Sequence, residues 1–201
     1  MTMVPASTVL SFVNTRFDGK GGHVERFGDA ADFAAWAAEH GFPTDETISE
    51  SEAFAARELR TALLTLLLSH NDHPDVTEEE VRAAERHLAH AGELYPIRVV
   101  LTADGSQSAG QRRGAAGVFG SVLAAADQIV QQGRWPRMKA CCSAPCRHGF
   151  LDRTRNGTQR YCAQRCASRA AMRAMRDRQN DGTGAPEQAE RGRNLAAGNS
   201  P

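Results

Sequence analysis

All five cysteines of this 201-residue chain fall in one stretch, CCSAPCRHGFLDRTRNGTQRYCAQRC, residues 141–166. Cys141, Cys146, Cys162 and Cys166 read C-x4-C, fifteen residues, C-x3-C. Zinc takes four ligands at tetrahedral corners, and soft anionic thiolates suit it. Each close pair supplies one edge of the tetrahedron. In a reducing compartment, clustered thiols hold metal more often than they form disulfides. Ordinary buried thiols would not need two close pairs around a turn. Cys142 is an alternative first ligand, giving C-x3-C, and His148 is a further donor; four cysteines already complete a structural site, which favours Cys141. Such a closed site leaves no position for a substrate water, so zinc catalysis is not expected, and no other catalytic set stands out.

The intervening segment must bring the chain back to its start. Phe150–Arg153 and Gln159–Tyr161 flank Arg155-Asn156-Gly157, and Asn-Gly is a strong short hairpin signal. A hairpin over these residues is therefore expected. After Cys162 the run is rich in Ala, Arg and Met, all good helix formers. Knuckle, hairpin and helix together make a treble-clef-like finger. A segment of ~40 residues buries too little core to fold unaided, and a metal supplies the difference.

Charge divides the chain sharply. Residues 1–133 carry 10 Lys+Arg against 19 Asp+Glu; residues 134–178 carry 12 against 2; residues 179–201 carry 2 against 3. A strongly basic module on an acidic body points to a polyanion partner. Arg165, Arg169, Arg173 and Arg176 follow one helix face, and Arg147, Arg153, Arg155 and Arg160 add charge around the hairpin. Arginine forks match phosphate oxygens, which makes these eight the candidate nucleic-acid contacts. DNA is the first partner; RNA, or an acidic protein bound by a zinc-stabilised adaptor, are the alternatives. Met172 and Met175 read as packing residues.

The rest of the chain reads as an α+β, mostly helical domain with short strands over 1–133, a hinge at 133–136, the finger over 134–178, and a disordered tail over 179–201. Residues 7–17 suggest a strand and the glycine-rich run after it a loop. Asp29 or Asp32 caps a helix that stops at Gly41. Ser49 and Glu52 form a capping box for a helix over 49–70, with Phe54, Leu59, Leu63, Leu66 and Leu67 at helical spacing. Thr77 opens the next helix, which ends near Gly92. Residues 95–103 suggest a strand followed by a DGS turn. Val118, Val122, Ala125 and Ile129 mark a helix over 115–131. The pairs His70/His73 and His87/His90 lack companion carboxylates and read as surface histidines. Asn14, Thr15 and Arg16 are candidate ligand contacts, unless they simply close a turn. No targeting or membrane-spanning run is visible, which suggests a cytoplasmic protein, nucleoid-associated if it binds DNA.

The run WPRMKACCSAPCRHGFLDRTRNGTQRYCAQRCASRAAMRAMRDR resembles the CGNR zinc-finger family. Asp152 stands in the place of that family's F-x-D aspartate, Tyr161-Cys162 in that of its aromatic-Cys step. Cys166-Ala167-Ser168-Arg169 replaces Cys-Gly-Asn-Arg, keeping the cysteine and the arginine. The beginning, LSFVNTR, with GDAADFAAWAAEHG, is similar to the ABATE domain, where the strand commonly reads Leu-Asp-Phe-Val-Asn-Thr; Ser11 departs from it. The resemblance implies zinc at Cys141, Cys146, Cys162 and Cys166 and a bacterial, DNA-binding transcription regulator. Its acidic body would sense a ligand or form a homodimer.

Overall fold

Three of the body's helices begin where the sequence supplies a side-chain cap. The computed structural model describes residues 5–19, 22–43, 46–103 and 105–182. Helix α2, Ala30–Glu39, starts as the Asp32 amide donates to Asp29 Oδ1 at 2.8 Å, so Asp29 is the cap. Helix α3, Glu50–Ser69, opens with the reciprocal Ser49/Glu52 box, and α4, Glu78–Leu94, with the same device at Thr77/Glu80. Helix α5, Gly114–Gln131, buries Val118, Val122, Ala125 and Ile129 as its spacing predicts. On α3, Leu59, Leu63 and Leu67 are buried, whereas Phe54 lies out on the surface under the Arg57 guanidinium. Helix α4 runs through Gly92 to Leu94.

The opening segment departs from expectation. Residues Pro5–Val13 form a helix, α1, not a strand. Pro5 suits the first turn, and Ala6, Val9, Phe12 and Val13 bury one helical face, a period that overrides the β-branched composition. Extended backbone begins only at β1, Arg16–Gly19, antiparallel to β2, Gly22–Glu25, in what reads as loop. A second hairpin pairs β3, Ile97–Thr102, with β4, Gly105–Gly110. Strand β4 escapes a hydrophobicity reading because its sequence is GSQSAG. It lies against α5 through glycine: a Cβ on Gly110 would collide with the Gly117 carbonyl oxygen.

The core gathers Phe12, Phe27, Phe33, Trp36 and Phe119 with ring centroids 5.0–6.3 Å apart, backed by the α3 leucines. One charge enters it. Arg60 is 4% exposed and grips Glu25 with two 2.6 Å hydrogen bonds. Burial works to raise the Glu25 pKa, but Arg60 and the Phe27 amide bring it below its ordinary value.

A single 3-10 turn, Trp135–Arg137, replaces the expected hinge. Strand β5, Met138–Ala140, then pairs with β6, Gly149–Leu151, and helix α6 covers Gln164–Gly182. The hairpin is thus formed across the first cysteine pair rather than around Asn156-Gly157. Residues before Cys141 supply the second strand, and Met138 and Ala140 belong to the body's core. Asn156-Gly157 makes a tight turn instead, with Gly157 at φ 66° and its amide donating to the Thr154 carbonyl. Helix α6 continues into the segment read as disordered tail; the rest of that segment, 183–201, lies outside the described residues.

Candidate metal centre and basic face

The β5–β6 hairpin carries the first two cysteines in its connecting loop, and the start of α6 carries the last. The Cys141 amide donates to the His148 carbonyl (3.0 Å), and the Cys146 amide to that of Ser143 (2.7 Å), which curls the knuckle. Cys162 precedes α6 and Cys166 lies in its first turn. The four sulfurs of Cys141, Cys146, Cys162 and Cys166 all lie within 4.8 Å of one another. Two of the edges, Cys146–Cys162 and Cys162–Cys166, are 3.6 and 3.8 Å. Zinc–sulfur bonds of about 2.3 Å in a tetrahedron require edges of about 3.8 Å. The donor set is therefore gathered closely enough to take one tetrahedral ion.

Adjacent Cys141 and Cys142 part company here. Cys141 is fully buried in the cluster, while the Cys142 thiol donates to the Asn71 carbonyl at 3.4 Å, on the body. His148 is also turned away, its Nε2 lying 3.3 Å from Asn14 Nδ2. Burial, and then the Arg165 charge, holds His148 below its usual pKa, so the neutral ring accepts from the Asn14 amide. Burial, with neighbouring thiols adding to it, pushes Cys141 up to about 11 and raises Cys162 further. A cation must offset that crowding before all four sulfurs ionise.

A second network braces the segment between the cysteine pairs. Asp152, 1% exposed, accepts from the Thr154 amide (2.9 Å) and hydroxyl (2.6 Å), from the Gln159 amide (2.9 Å), and from buried Lys139 Nζ (3.0 Å). Burial works to raise its pKa, but these donors bring it down to about 2. Lys139 also donates to the Gly157 carbonyl, and Arg137 to the Thr154 and Arg155 carbonyls. Sequence reasoning missed Lys139 and Arg137. The available signal was that Asp152 is the only carboxylate between residues 134 and 176.

The finger is seated on the body by two asparagines. Asn14 Nδ2 donates to the Gly149 carbonyl (3.0 Å) while its Oδ1 accepts the Gly149 amide (2.7 Å). Only glycine permits this approach, since a Cβ there would lie 2.8 Å from Val13 Cγ2. Asn71 Nδ2 donates to the carbonyls of Ala140 (2.8 Å) and Arg160 (2.9 Å). His70 Nδ1 donates to the Met138 carbonyl at 2.8 Å, and its ring meets Trp135 edge-on. His70 and buried His73 are therefore not surface residues; they lie where the body receives the finger. His90, as expected, is on the surface beside Glu93. Thr15 is 1% exposed; its hydroxyl donates to the Phe12 carbonyl and accepts from Arg60, so it serves the core. Arg16 is exposed.

The eight arginines divide into two groups. Arg147 reaches the body's Asp75 at 3.8 Å, and Arg160 points toward the Cys142 sulfur at 3.9 Å. Arg153, Arg155, Arg165, Arg173 and Arg176 are exposed, and Arg169 half-exposed. Arg169 and Arg173 flank a shallow groove of about 170 Å³ against Cys142, Ser143 and Ala144. From Ala171 to Gln179 every α6 residue is exposed, so this half of the helix projects into solvent. Met172 and Met175, at 54% and 55% exposure, are not packing residues. Both lie on the stretch of α6 in which every residue is exposed.

Residues 6–131 match the ABATE family model, described as "Putative stress-induced transcription regulator". Residues 137–179 match that of the CGNR zinc finger. No curated protein matches the chain. The finger match and the four gathered sulfurs together establish zinc as the cofactor. Among the described residues no helix is long and apolar enough to cross a membrane.

Proposed function

The chain belongs to the ABATE family and carries a CGNR zinc finger, and from that premise we propose that it is a cytoplasmic, DNA-binding transcription regulator without catalytic activity. Cys141, Cys146, Cys162 and Cys166 hold the ion. The zinc is structural: it ties the knuckle to the start of α6 and so fixes the direction in which α6 projects.

The projecting half of α6 carries this reading. A helix exposed on every side is costly to leave unpartnered unless it serves a contact. Its outward face alternates Arg165, Arg169 and Arg176 with Ser168 and Met172, cations for phosphates beside small and apolar groups for base edges. Arg147 is engaged by Asp75 of the body and Arg160 by the Cys142 sulfur, so the proposed nucleic-acid surface is Arg153, Arg155, Arg165, Arg169, Arg173 and Arg176. Four to six phosphate contacts give a plot of log affinity against log salt with a slope of about −4 to −5. Titration of duplex DNA with the zinc-loaded full chain between about 50 and 200 mM salt tests this. Absence of duplex binding at the low-salt end overturns it. RNA displacing duplex at equal concentration would assign the same surface to RNA.

A further inference from the structure

The β3–β4 hairpin is an arm whose outer strand is uncovered. Strand β4 lies on α5, leaving β3 as the outer edge. All six β3 residues are exposed, although the strand reads IRVVLT. Ile97, Val99 and Leu101 share the face that turns toward α5, because they pair with Gly110, Ser108 and Ser106. Their exposure climbs from 37% to 56% to 81% toward the tip. The arm therefore overhangs the helix with its apolar underside open. Natural sheets protect such edges with lysine, proline or a bulge, and a lone two-stranded hairpin is marginal in water. β3 has no lysine, proline or bulge, and its one charge, Arg98, lies on the face opposite Ile97, Val99 and Leu101.

The geometry points to a second copy of this chain as the occupant, joined edge to edge through β3 in an antiparallel, two-fold pairing centred on Val99. Two observations select this partner. The first is register. A two-fold axis perpendicular to the sheet pairs residues of the same parity, so Val99 meets Val99, and Ile97 meets Leu101 on both sides of the axis. All six underside residues then form one apolar stripe, and Arg98 falls opposite Val100 rather than opposite another arginine. The second is charge. The body as a whole is strongly acidic, but residues 94–113 hold Arg98, Arg112 and Arg113 against Asp104 alone. Two acidic bodies meeting at this arm meet where repulsion is least. An edge of six residues is about 20 Å long, which makes the contact a small one.

This pairing deepens the regulator reading by placing two fingers on one assembly. It is measured on protein alone, so its failure and a failure to bind DNA are separate results. Sedimentation velocity of the zinc-loaded full chain, from about 1 to 500 µM, should show a monomer of 21.7 kDa converting to a dimer. Leu101→Glu and Ile97→Lys each weaken self-association at least tenfold, since either puts a charge against an apolar side chain. Leu101 is 81% exposed, so Leu101→Glu should leave circular dichroism and melting temperature unchanged, and recovery on mixing controls for the less exposed Ile97. Mixing the two variants restores a dimer, because the introduced lysine of one copy then faces the introduced glutamate of the other. A wild type that stays monomeric throughout overturns the proposal. So does undiminished dimerisation of the single variants, or a mixture that fails to recover.

Discussion

At the scale of single residues, the finger depends on groups that carry no charge to its surface. Asp152 receives four donors, and its depressed pKa means that its stabilising contribution is full above the ordinary carboxylate range and is lost as pH falls through about 2. Replacing it with Asn removes the counter-charge of buried Lys139, so D152N should cost about 3 kcal/mol in denaturant unfolding at neutral pH. The ligand set makes a sharper prediction. Cys162→Ser lowers zinc stoichiometry, measured by elemental analysis, and loosens the finger; Cys142→Ser retains full zinc, because its thiol points to Asn71. The cysteine set was legible in the sequence because ligand spacing follows directly from tetrahedral geometry. The choice between Cys141 and Cys142 was not, since neighbouring side chains leaving a strand diverge and only the body shows which way each turns. Asn14 reads in the sequence as a candidate ligand contact, whereas in the structure its amide is taken up by Gly149 of its own finger.

At the scale of elements, capped helices were the easiest to read. Ser49/Glu52 and Thr77/Glu80 announce α3 and α4 by a mechanism confined to four residues each. Elements whose identity depends on a distant partner were misread. Helix α1 has the composition of a strand, and its helical period matters only because the body covers one face. Strand β6 found its partner before Cys141 rather than after the Asn-Gly turn, since pairing there also buries Met138 and Ala140 against α3. The projecting part of α6 could not be told from a packed helix, because the Ala/Arg/Met pattern suits both. Its role can be tested directly: Arg169→Ala combined with Arg173→Ala should flatten the salt slope of DNA binding by about 2 and leave zinc content unchanged. Unaltered slope would remove the groove they flank from the interface.

At the scale of the whole molecule, body and finger share one set of packed and hydrogen-bonded groups. Met138 fills the body's core, Asn14 and Asn71 occupy finger carbonyls, and Arg147 meets Asp75. Zinc held by the finger should therefore stabilise the body. Chelation is expected to lower the melting transition reported by Trp36, buried far along the chain from the cysteines. Asn14→Ala with Asn71→Ala leaves buried carbonyls unpaired, at about 1–3 kcal/mol each. In that double variant zinc release and Trp36 exposure should separate into two steps, whereas the parent loses both together. Coincident steps in the variant would mean that the shared apolar packing alone couples them.

The seat formed by Asn71 has a consequence for how such proteins can be rebuilt. Its amide reaches one carbonyl just ahead of the first cysteine pair and another just ahead of the second, so a single side chain spans both halves of the finger. A transplant of residues 134–178 to a foreign scaffold would lose that clasp, and Met138 would lose the cavity it fills. The finger of this molecule is consequently no cassette: evolution, or an engineer, must exchange it together with the asparagines that receive it.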